Sequence, residues 1–177
     1  YAITKYVNEL YASIFYSCYG FPSIGLRYFN VFGKRQDPNG AYAAVIPKWI
    51  KAMIEQDELT IYGDGTTSRD FCYIENAIQA NLLAALNGMK NKSTVYNVAV
   101  GERTTLNELF SILKSELKTQ KIIYKYDPVF MDFRPGDVRH SQASIDKIKS
   151  EIGYYPKFNI RDGVEESIKW YVKNLQN

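Results

Sequence analysis

The chain opens with a tyrosine and a lysine at helical spacing. Tyr1 and Lys5 stand four positions apart in a segment with a helical pattern, so both side chains lie on one helix face. Lowering a tyrosine pKa of about 10 by roughly 3 units, as a base at neutral pH requires, takes about 4 kcal/mol of preferential phenolate stabilisation. A nearby ammonium supplies part of that energy, and its three donors suit ribose hydroxyls. Taken alone, the pair is weak evidence for chemistry and is more typical of a solvated helix face.

An asparagine follows the first predicted strand. Asn30 lies in the run Arg-Tyr-Phe-Asn-Val-Phe-Gly, residues 27–33, where the strand reaches its carboxyl end. Ligands of doubly wound sheets bind beyond the carboxyl ends of strands, so this amide is well placed for one. The long polar loop that follows, residues 33–42, is of a kind that is more often functional than idle.

The elements that must position these residues alternate along the chain. Apolar periodicity and turn residues predict helices over 1–19, 45–56, 75–87, 105–117, 144–153 and 161–175, and strands over 23–29, 59–62, 68–73, 94–98 and 122–126. Thr105 with Glu108 forms a capping box, and Ser144 is expected to cap its helix. Gly63 and Gly65 lack a third glycine and predict a turn, not a dinucleotide fingerprint. The interleaving indicates an α/β fold.

Composition excludes several classes of protein. The 177 residues are 46% hydrophobic with a formal net charge of +3, and the scattered basic residues argue against nucleic acid as a partner. Cys18 and Cys72 each sit in an apolar run without metal-ligand spacing, which predicts two buried free thiols and no metal site. No apolar stretch is long enough for a membrane span and no leader pattern opens the chain, so a cytoplasmic location is expected.

A Tyr-x-x-x-Lys helix followed by this strand and Asn30 resembles the extended short-chain dehydrogenase/reductase family. Four further stretches, residues 36–48, 63–65 with 68–71, 96–99 and 134–141, narrow the resemblance to bacterial UDP-N-acetylglucosamine 4-epimerases. The likeness covers essentially the whole chain. It implies the C-terminal part of an NAD(P)-binding Rossmann-type protein with a smaller substrate-binding domain: residues 1–33 as the last helix and strand of the Rossmann domain, and 34–177 mainly as the nucleotide-sugar domain, with segments that return to the sheet.

The resemblance also implies roles for single residues. Tyr1 would take the proton from the sugar 4-hydroxyl, while Lys5 would hold the nicotinamide ribose of NAD, with Tyr28 as a further cofactor contact. The residues implied for binding the UDP-sugar are Asn30, Ala44, Val45, Ile46, Tyr62, Arg69, Arg134, Asp137 and Ser141. Guanidinium forks suit phosphate.

Two small residues bear on the sugar. An acetamido group enlarges the volume that a rotating 4-keto sugar sweeps, and small side chains at Ser141 and Ala44 leave room for it. Small residues are also common in tight packing, so this reading has a plain alternative. His140, the single histidine, has no catalytic or metal spacing around it and is expected to be structural.

The sequence departs from the family in two respects. No Gly-rich pyrophosphate-binding turn occurs in the 177 residues, and the catalytic serine or threonine expected upstream of the tyrosine is absent. We therefore expect a fragment that is inactive as an epimerase by itself. The apolar helix face over residues 7–18 is expected to be exposed and to promote self-association, and the resemblance implies a homodimeric parent.

Three hypotheses follow. The parent protein is a UDP-N-acetylhexosamine 4-epimerase, or acts on the corresponding uronic acids, in surface polysaccharide synthesis. Alternatively, it is a related nucleotide-sugar dehydratase or decarboxylase, which would share the Tyr-x-x-x-Lys helix and the Asn30 strand. The third possibility is a stand-alone binding module without chemistry, which a weak-binding, NAD-indifferent chain would favour.

Overall fold

Helices and short strands alternate along the part of the chain that the computed structural model describes, residues 2–40, 43–87 and 93–175. The helices are α1 (Ala2–Tyr19), α2 (Val45–Glu55), α3 (Ile74–Asn87), α4 (Leu106–Thr119), α5 (Asp146–Ile152) and α6 (Ile160–Leu175). The strands are β1 (Ile24–Tyr28), β2 (Val31–Phe32), β3 (Thr60–Tyr62), β4 (Ser68–Arg69), β5 (Cys72–Tyr73), β6 (Thr94–Val98), β7 (Thr104–Thr105) and β8 (Val129–Met131). The predicted α/β class is confirmed.

Parallel pairing dominates the strands. β1 pairs with β6 over five residues, with Ile24 opposite Thr94, and β2 and β3 pair in parallel with β5 and β8. Only β4 and β7, among the described strands, run antiparallel. Parallel strands need crossover connections, which the intervening helices supply.

Two apolar cores hold the described elements together. The first gathers side chains of α2, β3, α4 and α6 around Phe32 and Tyr73. The second lies between β6, α3 and α5, and Tyr96 and Tyr154 are its largest members. Each such side chain contributes roughly 1.5–3 kcal/mol when it leaves water. Trp49 is buried in the first core and Trp170 packs against it half-buried, which agrees with the apolar helix faces predicted for both.

Local sequence signals explain several helix ends. Thr105 and Glu108 form the predicted capping box of α4, since each side chain bonds the other residue's backbone N–H. α5 ends at Gly153 in the left-handed conformation, where a residue without Cβ is unstrained. The prediction for the start of α5 was wrong by one residue, because its N-cap is Ile145. Ser144 stands one position before that N-cap, and its hydroxyl contacts both the backbone N–H and the carboxylate of Asp146.

The strand predicted over residues 122–126 is wrong. Ile122 packs on the first core and Tyr124 is buried, which imitates the alternation of a strand. The backbone, however, still closes the end of α4, because the N–H of Ile122 donates to Leu117. The strand forms further on at β8, which begins where Val129 donates to the carbonyl of Leu59.

Asp70 interrupts the strand predicted over residues 68–73, which forms as the two short pieces β4 and β5. Its buried carboxylate accepts hydrogen bonds from the N–H groups of Val100, Gly101 and Ala143 at 2.9, 3.0 and 3.3 Å. Burial raises the pKa of this carboxyl, while those three N–H groups oppose the rise. The hydrogen bonds of Asp70 thus connect the turn after β6 to the segment before α5.

One of the two cysteine predictions is wrong. Cys72 is buried in the second core, but Cys18 is exposed, because none of the described residues of α1 is buried. The apolar positions of α1 that suggested burial face solvent, as was expected for its face over residues 7–18. Within the described ranges, no helix is long and apolar enough to cross a membrane, and no cluster of His, Cys, Asp and Glu has the arrangement of a metal site.

Candidate ligand-binding site

A cavity of about 450 Å³ lies between the start of α2, strands β2 and β3, and the loop that follows β8. Eight of the nine residues predicted to bind the substrate line it: Asn30, Ala44, Val45, Ile46, Tyr62, Arg69, Arg134 and Asp137. These residues come from five separate stretches of sequence. The fold therefore brings together side chains that are more than 100 positions apart.

The amino end of α2 forms one wall of the cavity. Its N-cap, Ala44, is extended and provides no side-chain hydrogen bond to the first turn. The first N–H groups of any helix lack partners inside the helix, and they carry the positive end of its dipole. With Ala44, Val45 and Ile46 on the cavity wall, this end of α2 offers donors to an anion.

Arg69 contributes a largely covered guanidinium to the cavity. Its side chain is 17% exposed, and it donates to the carbonyls of Ser68 and Arg139 at 3.0 and 3.3 Å. Its second terminal nitrogen lies 3.4 Å from the carboxylate of Asp137, which is 51% exposed. Backbone carbonyls thus orient this guanidinium, and the carboxylate beside it is free to accept from hydroxyl groups as well.

A second guanidinium lies over an aromatic ring. The Arg134 guanidinium carbon is 3.6 Å from the centroid of the Tyr62 ring, a cation–π contact. A hydrogen bond from Arg134, together with its charge, lowers the pKa of the Tyr62 phenol. The planar group and the ring, both of which line the cavity, therefore form a flat part of its wall.

Asn30 is the exposed residue that separates β1 from β2, and its carbonyl accepts from the N–H of Cys72 at 3.2 Å. This backbone bond fixes the position of the residue, and the residue lines the cavity. The prediction of an amide at the carboxyl end of β1 agrees with this location. An amide can donate to a phosphate oxygen without adding charge.

Ser141 does not line the cavity. Its N–H donates to the carbonyl of Ser68 at 3.1 Å, which places the residue beside the strand that carries Arg69. The neighbouring His140 accepts or donates a hydrogen bond at 2.9 Å between Nδ1 and the Ser68 hydroxyl. That contact supports the structural role expected for the histidine.

The residues predicted to contact the cofactor are not gathered in this cavity. Tyr1 lies outside the described residues, and Lys5 is exposed on α1. The hydroxyl of Tyr28 donates to Asn81 of α3 at 2.9 Å. Lys5 and Tyr28 therefore belong to helices and strands outside the cavity wall, and their roles remain predictions.

Sequence reasoning missed several residues of the cavity wall. Lys48 follows Ala44 by one helical turn, so the spacing of that helix was a signal that could have found it. Glu58 and Thr67 also line the cavity, but no motif in the sequence distinguishes them from ordinary loop residues. With Lys48 included, three cationic side chains and two carboxylates surround the space.

A family model described as the NAD dependent epimerase/dehydratase family matches residues 1–99. The chain belongs to this family. The match confirms the predicted resemblance to extended short-chain dehydrogenases/reductases of the nucleotide-sugar epimerase kind.

Solved structures of other family members share the fold. The UDP-glucose 4-epimerase of Thermotoga maritima, solved with UDP-glucose, is 36% identical with a TM-score of 0.91, covering 99% of this chain and 54% of that one. The UDP-N-acetylglucosamine 4-epimerase of Methanobrevibacter ruminantium M1, solved with UDP-N-acetylmuramic acid, is 40% identical with a TM-score of 0.88, covering 98% and 54%. This chain is therefore similar to about half of each enzyme.

Family members with a different reaction are also similar to the chain. The UDP-N-acetyl-alpha-D-glucosaminuronate decarboxylase of Bacillus cytotoxicus is 28% identical over 178 residues, covering 100% of this chain and 54% of that protein. The chain spans about half the length of the curated relatives it matches.

Proposed function

We propose that the cavity binds a UDP-sugar, and that the protein carrying this chain is an NAD-dependent 4-epimerase of UDP-N-acetylglucosamine and UDP-N-acetylgalactosamine, or of their uronic acids. The observation that carries the proposal is the convergence of Arg69, Arg134, Asn30 and the amino end of α2 on one cavity. Two guanidinium groups and a helix amino end are a suitable environment for a diphosphate.

The residues that line the cavity offer contacts to both parts of a nucleotide sugar. The guanidinium of Arg134 now covers one face of the Tyr62 ring. A planar base can pack on that face in its place. Asp137 offers a carboxylate to ribose hydroxyls. Both residues are among those that the family resemblance implies for binding the UDP-sugar.

An N-acetylated sugar is supported by two observations. Ala44 has a small side chain on the cavity wall, which leaves volume for an acetamido group. The relative from Methanobrevibacter ruminantium, named a UDP-N-acetylglucosamine 4-epimerase, was solved with UDP-N-acetylmuramic acid. Ser141, outside the wall, is retained as a proposed neighbour of the hexose.

The residues of this chain fit one end of NAD. Lys5 is exposed on α1 and can donate to ribose hydroxyls, and Tyr28 has an exposed ring at the carboxyl end of β1. No Gly-rich turn for the pyrophosphate occurs in the 177 residues. When bound, NAD would supply the acceptor, and then the donor, for the hydride of sugar carbon 4.

Two residues then carry the proton chemistry of the proposed reaction. Tyr1 takes the proton from the sugar 4-hydroxyl oxygen and later returns it to the same oxygen. Lys5 favours the phenolate through its charge and holds the ribose in place. Because the pyrophosphate turn is missing from these residues, we further propose that the 177-residue chain alone does not epimerise its substrate.

Isothermal titration of the 177-residue chain with UDP, UDP-N-acetylglucosamine and NAD tests the proposed site. We expect both uridine ligands to bind and NAD to bind weakly or not at all. A folded chain that binds no uridine ligand would overturn the assignment of the cavity.

The decarboxylase relative makes the choice of reaction a second test. The protein carrying this chain, supplied with NAD and a UDP-N-acetylhexosaminuronic acid, is expected to produce the 4-epimer without release of carbon dioxide. Release of carbon dioxide would instead assign it to the decarboxylase branch of the family.

A further inference from the structure

An ion pair joins α1 to strand β1. Arg27 of β1 donates from Nε to one carboxylate oxygen of Glu9 at 2.7 Å and from a terminal nitrogen to the other at 2.6 Å. This two-point contact restricts rotation as well as distance, unlike the single contact that a lysine makes.

The geometry of β1 explains why the contact matters. Ile24 and Leu26 pack against the second core, so Arg27, with the opposite parity, points from the other face of the strand. Helix α1 lies on that face. None of the described residues of α1 is buried, and the Glu9–Arg27 pair is a direct side-chain contact between this helix and β1.

The position of Glu9 on α1 connects this contact to the proposed chemistry. Glu9 follows Lys5 by four residues, which is about one helical turn. In the sequence, Lys5 follows position 1 at the same spacing. Four residues correspond to about 6 Å along the axis. Any rotation of α1 at Glu9 is therefore transmitted to Lys5.

We propose that Arg27 and Glu9 are positioning residues, which set the rotation and height of α1 and thereby aim Lys5 toward the carboxyl end of β1, where Asn30 lies. The proposal rests on the proposed epimerase function. Each partner also shifts the other's pKa, Glu9 downward and Arg27 upward, mainly through their hydrogen bond.

The position of α1 can be measured without cofactor. Spin labels on the exposed Cys18 and on a Ser150→Cys variant of α5 report the distance between α1 and the layer behind β6, while Cys72 is buried and unlabelled. Glu9→Gln is expected to broaden that distance distribution, and the exchange Glu9→Arg with Arg27→Glu to narrow it again. Glu165→Gln, which removes the carboxylate of an exposed ion pair with Lys169 on α6, is the matched control and should change nothing.

Kinetics of the NAD-loaded protein that carries this chain supply the second measurement. Glu9→Gln is expected to lower kcat roughly 10- to 100-fold, the size of effect that a small misplacement of a catalytic group produces. KM should stay within about twofold, because neither residue lines the cavity, and the charge exchange should recover most of kcat.

The outcomes separate the two proposals. An unchanged distance distribution in Glu9→Gln overturns the positioning role, and so does a broadened one with unchanged kcat, since the pair would then be merely structural. A wild-type protein without epimerase activity overturns the proposed function, and the label distances still decide whether the pair fixes α1.

Discussion

Arg69 is the residue on which the proposed anion site most depends. Its guanidinium is largely covered and is already oriented by two backbone carbonyls. Little side-chain entropy therefore remains to be lost when a phosphate replaces Asp137 as its partner.

We predict that Arg69→Gln weakens UDP binding by about 10- to 100-fold. A hydrogen bond to a charged group contributes about 1.5–3 kcal/mol, and 1.4 kcal/mol corresponds to a factor of ten. Titration calorimetry measures the change. Arg103→Gln, an exposed arginine outside the cavity wall, is the control and should bind as the wild type does.

The two thiols are expected to differ in reactivity. Burial raises the pKa of Cys72 from 9.0 to about 12, whereas Cys18 is exposed. At pH 8, a thiol-specific disulfide reagent should therefore modify one cysteine in the folded chain and two in guanidinium chloride. A Cys18→Ser variant that still reacts when folded would contradict the burial of Cys72.

The same shift has a consequence for stability. The folded state holds the Cys72 proton more tightly than the unfolded state does. This contribution to stability is fully present below pH 9.0 and is lost as the pH rises toward 12. Chemical denaturation of wild type and Cys72→Ala across that alkaline range measures the difference in slope.

At the scale of elements, the amino end of α4 is the clearest case of local sequence deciding local structure. The Thr105 hydroxyl accepts from the N–H of Glu108 at 3.1 Å, and the Glu108 carboxylate accepts from the N–H of Thr105 at 2.7 Å. This reciprocal pair satisfies two donors that the helix itself leaves unpaired.

Thr105→Ala is expected to destabilise the chain by about 1 kcal/mol, the usual loss on removing a threonine cap. Urea denaturation measures it through a lower midpoint at an unchanged slope. Thr119→Ala, at the carboxyl end of the same helix, is the matched control. Its exposed hydroxyl donates to the carbonyl of Glu116 and accepts from the side chain of Gln120, and its replacement should change stability by less than about 0.5 kcal/mol.

At the scale of the whole molecule, α1 is distinctive because it presents an apolar stripe to solvent. Ile3, Val7, Leu10 and Ile14 recur at helical spacing with exposures between 38% and 79%. Exposed apolar patches of this kind mark surfaces that associate. A homodimer of the protein carrying this chain remains our proposal.

We predict that the 177-residue chain self-associates through this stripe and that Ile14→Glu shifts it toward monomer, because a charge on the stripe opposes its burial. Sedimentation equilibrium over a range of concentrations measures the effect. Ile123→Glu introduces the same change at an isoleucine that is 66% exposed on a different segment, and it should leave the association unchanged. Equal effects of the two variants would remove α1 as the associating surface.

The sequence by itself determined what depends on near neighbours along the chain. The helices follow from periodicity with a few residues of error at their ends, and the capping box of α4 and the glycine at the end of α5 form as predicted. The family resemblance supplied eight of the residues that line the cavity, including Asn30 and the two arginines.

Tertiary structure decided what depends on partners distant in sequence. Residues 122–126 alternate like a strand, yet the strand forms at residues 129–131, because that is where the backbone meets β3. Cys18 sits in an apolar run, yet it is exposed, because no described element covers that face of α1. Periodicity records which residues share a face of an element, but whether another element packs on that face is settled only by the chain's long-range packing.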